Sequence, residues 1–202
     1  MTGKITIYIY SFCLFALCSF SMDGQVSKRK EETSKLKKQI YALHKEDSET
    51  ESIPYLEKYI SVSKNELYFK LLYAKSLLYR RDLKVPSVSE PIEDRINKTK
   101  RIQENYKLAA KTFQENVLHL QKVRPRDSNL GRWYYLWAFS EWYSDNKEKA
   151  IKLFLKAVKL DYRLTESYYN VAALYESLGQ WKDAELYWRK YEKAEKELEE
   201  ED

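Results

Sequence analysis

The 202-residue chain is expected to be all-α, built from antiparallel helical hairpins. Glycine and proline are scarce, four of each, and sandwiches, barrels or doubly wound sheets need many turns with positive φ. Apolar residues recur at spacings of three and four along most of the chain, the signature of amphipathic helices. A stretch of 34 residues in the C-terminal third also aligns with the stretch that follows it without a gap. The same scarcity of glycine excludes function classes. Two of the four glycines, Gly3 and Gly24, lie in or beside an N-terminal leader. Gly131 and Gly179 alone cannot assemble a phosphate-cradling loop, a dinucleotide fingerprint or a nucleophile elbow.

The first element is an address. Lys4 precedes sixteen uncharged, mostly apolar residues from Ile5 to Phe20, the form of a secretory signal. Small residues flank Phe20 at Ser19 and Ser21, so residues 1–21 are expected to be removed, with Gly24 as a later site. Two other fates stay open. An uncleaved anchor would need roughly 20 apolar residues and would place Lys28, Arg29 and Lys30 against translocation. Lipid attachment at Cys18 is the other, although Leu17 stands where a small residue belongs. Both cysteines, Cys13 and Cys18, fall in this leader. A processed chain therefore has no thiol for a disulfide, a nucleophile or a zinc site.

Residues 28–130 read as irregular helical hairpins. Leu36, Ile40 and Leu43 share one helix face, and Ile53, Leu56, Tyr59 and Ile60 share another. Glu66 to Tyr79 forms a third helix. Arg101 to Val123 forms a fourth, with Tyr106, Ala109, Ala110, Phe113, Val117 and Leu120 along its apolar face. Pro86 and Pro91 interrupt the second pair, so residues 81–100 are expected to be a loop or a partly helical excursion, longer than the roughly 2–8 residues of an ordinary helix–helix turn.

The repeat follows, as units 131–164 and 165–198 with a charged cap to residue 202. Under the 34-residue offset Tyr134 meets Tyr168, Ala138 meets Ala172, Ala150 meets Ala184, and Phe154 meets Trp188. Each unit reads as two helices: Arg132–Tyr143 with Lys147–Leu160, then Glu166–Leu178 with Trp181 to about Lys196. Asp145-Asn146 and Gly179-Gln180 supply the turns, Gly179 being free to take the left-handed conformation that ends a helix. The alanines let helix backbones approach closely, and the aromatics fill the space around them.

This pattern resembles the tetratricopeptide repeat family. The match runs through Tyr168, Val171, Ala172, Tyr175, Ala184 and Trp188 in the second unit, and through Tyr134, Trp137, Ala138, Ala150, Phe154 and Ala157 in the first. The resemblance implies a short right-handed solenoid whose members bind proteins. Departures are Glu141 in place of Tyr, Tyr162 in place of a terminal Pro, and Tyr191 in place of a small docking residue. A bulky Tyr191 followed by the charged run from Glu192 to Asp202 reads as the cap of the array, which needs a polar outer face.

Seven of the eleven residues from Trp133 to Tyr143 are aromatic, too many for one face to bury within its own hairpin. In the family the first helix of each unit lines a concave groove. That resemblance places Arg132, Tyr135, Phe139, Trp142, Tyr143, Glu166, Tyr169, Ala173 and Glu176 there, as a surface for a protein or peptide partner. Rings with a polar edge are common interface anchors. The competing expectation is that these rings pack on the N-terminal hairpins. Asn170 occupies a position at which some family members clamp a carboxylate, but Tyr135 and Phe139 replace the clamp's other residues.

No catalytic, cofactor or metal site is expected. His44 and His119 are far apart and read as surface residues. The carboxylate pairs Glu31-Glu32 and Glu93-Asp94 sit in solvated segments, and Asn97-Lys98-Thr99 matches a glycosylation sequon. Residues 22–130 carry a net charge of +7 and residues 131–202 one of −3, but no nucleic-acid motif accompanies the basic residues. The sequence is thus read as an exported binding or scaffolding module, periplasmic or extracellular, with membrane association only through an uncleaved leader or a lipidated Cys18. Self-association through the aromatic helix or the charged final helix is the alternative.

Overall fold

The computed structural model describes residues 26–63, 66–83 and 85–201. The leader, with both its cysteines, lies outside the described residues. Eight α-helices and no strand occur among the described residues: α1 (26–45), α2 (Glu49–Val62), α3 (Leu67–Leu78), α4 (Ile92–Val123), α5 (Leu130–Tyr143), α6 (Lys147–Leu160), α7 (Glu166–Ser177) and α8 (Trp181–Glu199).

They pair in chain order into hairpins. Glu32 on α1 meets Lys58 on α2 at 2.7 Å, while α3 packs along α4, α5 along α6 and α7 along α8. Each hairpin's second helix then packs on the first helix of the next, α2 on α3, α4 on α5 and α6 on α7. This is the all-α stack the sequence predicts. One apolar core runs through it, from Leu36 and Ile40 through Tyr59, Phe69, Phe113 and Trp133 to Phe154 and Leu174. α3 buries Phe69, Leu71, Leu72, Ala74, Leu77 and Leu78, more of its circumference than a single apolar stripe, as a helix with neighbours on several sides must.

Three of the turns share one device. Asp47, Asp145 and Gly179 take φ of 51°, 70° and 72°. In each case the next N–H reaches back five residues: Ser48 to the Leu43 carbonyl at 2.9 Å, Asn146 to Glu141 at 2.8 Å, and Gln180 to Tyr175 at 2.9 Å. These are Schellman closures, which satisfy carbonyls that a helix end leaves orphaned. The last two sit 34 residues apart, so the repeat extends to its turn geometry. Gly131 has a different reason to be glycine. A Cβ there would lie 2.9 Å from the Asp161 Cβ and 3.2 Å from the Ala157 carbonyl, because the start of α5 presses on the end of α6.

Two expectations need correction. The fourth helix begins at Ile92 rather than near Arg101, so the second half of the 81–100 segment is helical. Pro91 sits at its N-cap, with Glu93 and Asp94 in its first turn, a favourable start for a helix with its positive N-terminal dipole end. His44 is not a surface residue. Its Nε2 lies 3.2 Å from Ser52 Oγ and 3.3 Å from Ser76 Oγ, inside a polar cluster between α1, α2 and α3.

Candidate protein-binding surface

α5 divides its aromatics by face. Trp133, Tyr134 and Trp137 are buried. Trp133 packs towards the N-terminal hairpins, with ring centroids 6.2 Å from Tyr68 and 6.4 Å from Phe113. Tyr134 stacks on Trp137 at 5.7 Å and donates its hydroxyl proton to Gln121 at 2.7 Å. Lys156 lies over the Tyr134 ring and Lys149 over that of Trp137, at 4.3 and 5.2 Å, so these rings serve both packing and cation–π contact.

The remaining four rings form a ladder on the other face. Tyr135 meets Phe139 edge-on at 5.0 Å, and Phe139 stacks on Trp142 at 6.0 Å and on Tyr143 at 5.9 Å. Tyr143 continues onto Tyr106 of α4 at 4.9 Å. Phe154 of α6, fully buried, supports the ladder from behind, edge-on to Tyr135, Phe139 and Trp142 at 5.5, 5.1 and 6.3 Å. Tyr135, Phe139 and Trp142 are half-buried, and Tyr143 is 49% exposed. The four rings are thus held by one another and by a core residue while keeping a solvent-facing edge.

The remaining predicted residues fall around this ladder. Arg132 and Glu166, both exposed, line a 390 Å³ hollow together with Tyr135, Tyr79 and Asn129. Tyr169, 46% exposed, meets Trp188 and Tyr191 of α8 at 4.8 and 5.6 Å. Glu176 accepts a hydrogen bond from Trp188 Nε1 at 2.8 Å, and Ala173 is half-buried. The α5 and α7 groups are joined by Asn170, whose Nδ2 donates to the Tyr135 hydroxyl at 3.4 Å. Asn170 is itself buried, spent on helix packing rather than open to a ligand. Burial raises the Tyr135 pKa, and this hydrogen bond opposes the rise. Tyr106, on the preceding hairpin, belongs to the ladder but was missed in sequence. Its half-buried place on the apolar face of α4 was visible; its meeting with Tyr143, 37 residues away, depends on tertiary packing.

Glu141, where the family pattern has Tyr, is buried and functions as a fastener. Its Oε1 accepts from Trp137 Nε1 at 2.8 Å and pairs with Lys149 at 2.7 Å. Its Oε2 accepts from Asn146 Nδ2 at 2.8 Å. The carboxylate ties the end of the aromatic helix to the start of α6.

One cluster has the residue types of a hydrolase. His44 lies within hydrogen-bond distance of Ser52 and Ser76, whose hydroxyls are 2.9 Å apart, and Glu49 pairs with Lys75 at 3.0 Å. Both serines are fully buried, so no substrate carbonyl reaches them, and a nucleophile needs such access. Burial, and then the Lys75 charge, lower the His44 pKa below its usual 6.5, with Glu49 opposing. Among the described residues no group of three His, Cys, Asp or Glu could hold a metal ion, and no described helix is long and apolar enough to cross a membrane.

No family model matches the chain, and no curated protein matches it. Solved structures of MamA are similar in helical architecture. One from Desulfovibrio magneticus RS-1, spanning residue 41 to the end of that protein, is 19% identical, covers 82% of this chain and 96% of its own, and has a TM-score of 0.42. Another is 16% identical over 84% of this chain and 95% of its own, again with a TM-score of 0.42. A double mutant of the RS-1 protein is 18% identical, over 83% and 96%, with a TM-score of 0.41. At these identities the likeness is shallow, and the architecture stands on this chain's own helices and packing.

Proposed function

We propose that the chain is an exported, non-enzymatic protein-binding module that holds an apolar or aromatic segment of a partner against the α5 surface. The observation that carries this reading is the ladder from Tyr135 through Phe139, Trp142 and Tyr143 to Tyr106. Rings with fixed positions and one free edge lose little entropy on binding and offer large area, which is why such residues dominate interface energetics. The hollow beside Arg132 and Glu166 supplies polar groups at one end, and Tyr169 and Glu176 extend the surface onto α7. Binding there is by shape and burial and needs no cofactor.

Export rests on the basic-then-apolar leader, and the N-terminal residue of the chain isolated from its native cell tests it. A chain beginning at Met22 or within a few residues of it supports cleavage; one retaining Met1 refutes it. The binding surface is tested by recovery of partners from the native envelope with the wild-type chain and with Tyr135→Ala/Trp142→Ala. Loss of the same partners, with helical circular dichroism unchanged, supports the surface. Undiminished recovery would place binding elsewhere.

A further inference from the structure

Among the described residues, no helix buries any side chain of the N-terminal part of α4. α3 ends where Asn105 Nδ2 donates to the Leu77 carbonyl at 2.6 Å, and α5 ends where Tyr143 meets Tyr106. Residues 92–104 therefore project beyond both neighbours, an arm of about 20 Å at 1.5 Å per residue, and none of them is buried. The arm is nevertheless amphipathic. Ile92, Ile96, Thr99 and Gln103 continue the stripe that lower down buries Ala110, Phe113 and Val117. Here Ile92 and Ile96 are 72% and 61% exposed. They line an open 640 Å³ hollow with Pro86, Arg95 and Lys100.

Charge says what covers this face. At 100° per residue, Glu93 and Lys100 fall on the same flank of the apolar stripe, seven residues apart. Neither has an ion-pair partner among the described residues. A second arm laid antiparallel about a two-fold axis between Ile96 and Asn97 puts like flank against like flank. Glu93 of each copy then meets Lys100 of the other, Ile96 faces its own counterpart, and Ile92 lies between Thr99 and Gln103 of the second arm. On the opposite flank Lys98 is already neutralised by Glu90 at 2.6 Å, so Arg95 meets no uncompensated like charge.

We propose that the projecting arm of α4 is a homodimerisation surface, occupied by the arm of a second copy of this chain in antiparallel register. The arm is neither the aromatic helix nor the charged final helix. Two short arms bury an area at the low end of specific interfaces, below about 1,200 Å², so dissociation in the micromolar range is expected.

Sedimentation velocity on the full, natively processed chain tests this up to about 100 μM, a range that reveals micromolar dissociation constants. The wild type is expected to shift from monomer to dimer with rising concentration. Glu93→Lys and Lys100→Glu, both at exposed positions, are each expected to stay monomeric with unchanged helical circular dichroism. Mixed in equal amounts, the two variants are expected to form a heterodimer, because each supplies the charge the other lacks. A monomeric wild type at the highest concentration would overturn the proposal. So would a dimer indifferent to both charge reversals, or single variants that stay monomeric when mixed.

Discussion

Burying a carboxylate is costly unless its oxygens are paired, and at Glu141 a Trp N–H, an Asn amide and a Lys ammonium all converge. Removing it strands those donors, so Glu141→Ala is expected to cost about 2–3 kcal/mol, read as a lower midpoint in urea denaturation. Glu141→Gln, which keeps one acceptor, should lose less. His44 sets a pH dependence. Its folded-state pKa lies below the usual 6.5 because burial, and secondarily Lys75, disfavour the imidazolium. As pH falls through 6.5 the unfolded chain takes up a proton before the folded one does, so stability is full above that value and declines below it. Urea midpoints at pH 7.5 and 5.5 should show the decline, and His44→Gln should flatten the part of it that His44 contributes. The two residues differ in how visible they are in sequence. All three partners of Glu141 lie within eight positions of it, at helical spacing or across one turn. The partners of His44 come from two other helices, one of them 32 residues away, and nothing local marks it as more than a lone histidine.

Turns and helix ends carry the next level of specification. Gly179 and Asp145 hold nearly the same positive φ, 72° and 70°, at equivalent points of the two units, although one is free to do so and the other is not. Gly179→Ala should cost about 1 kcal/mol and Asp145→Gly should gain up to about the same, both measurable by thermal or urea unfolding. Gly131→Ala should cost about 1–3 kcal/mol, because its Cβ meets the Asp161 Cβ at 2.9 Å. The repeats were readable from sequence because Ala138, Ala150, Ala172 and Ala184 mark each close helix crossing and the turns carry their own residues. The start of α4 was less so. Pro91, Glu93 and Asp94 are valid start signals, but only Ile92 and Ile96 mark the apolar stripe there, and an arm without neighbours has little need of a stronger one. The candidate surface was half visible: the excess of rings on α5 showed that some must face outward, while their division between core and ladder is set by Phe154, Gln121 and Phe113 on other helices.

Across the whole molecule, packing is uneven from one end to the other. α5 and α6 share their core with both neighbouring hairpins, whereas α8 buries only Ala184 among its 19 residues. In a linear array each hairpin is stabilised by its own packing and by its neighbours, so the last one should open most readily. Amide hydrogen exchange is expected to show less protection in α7 and α8 than in α5 and α6; equal protection would mean that the stack unfolds as one unit. The sparsely apolar outer side of α8 also bears on growth. A stack that offered a greasy terminal face could add further copies end to end without limit, as open filaments do. The outer side of α8 is mostly Lys, Arg, Asp and Glu, with Trp181 and Leu186 as its exposed large apolar residues, so assembly along the stacking axis is disfavoured and growth from the flanks is favoured, where closed symmetry fixes the number of chains.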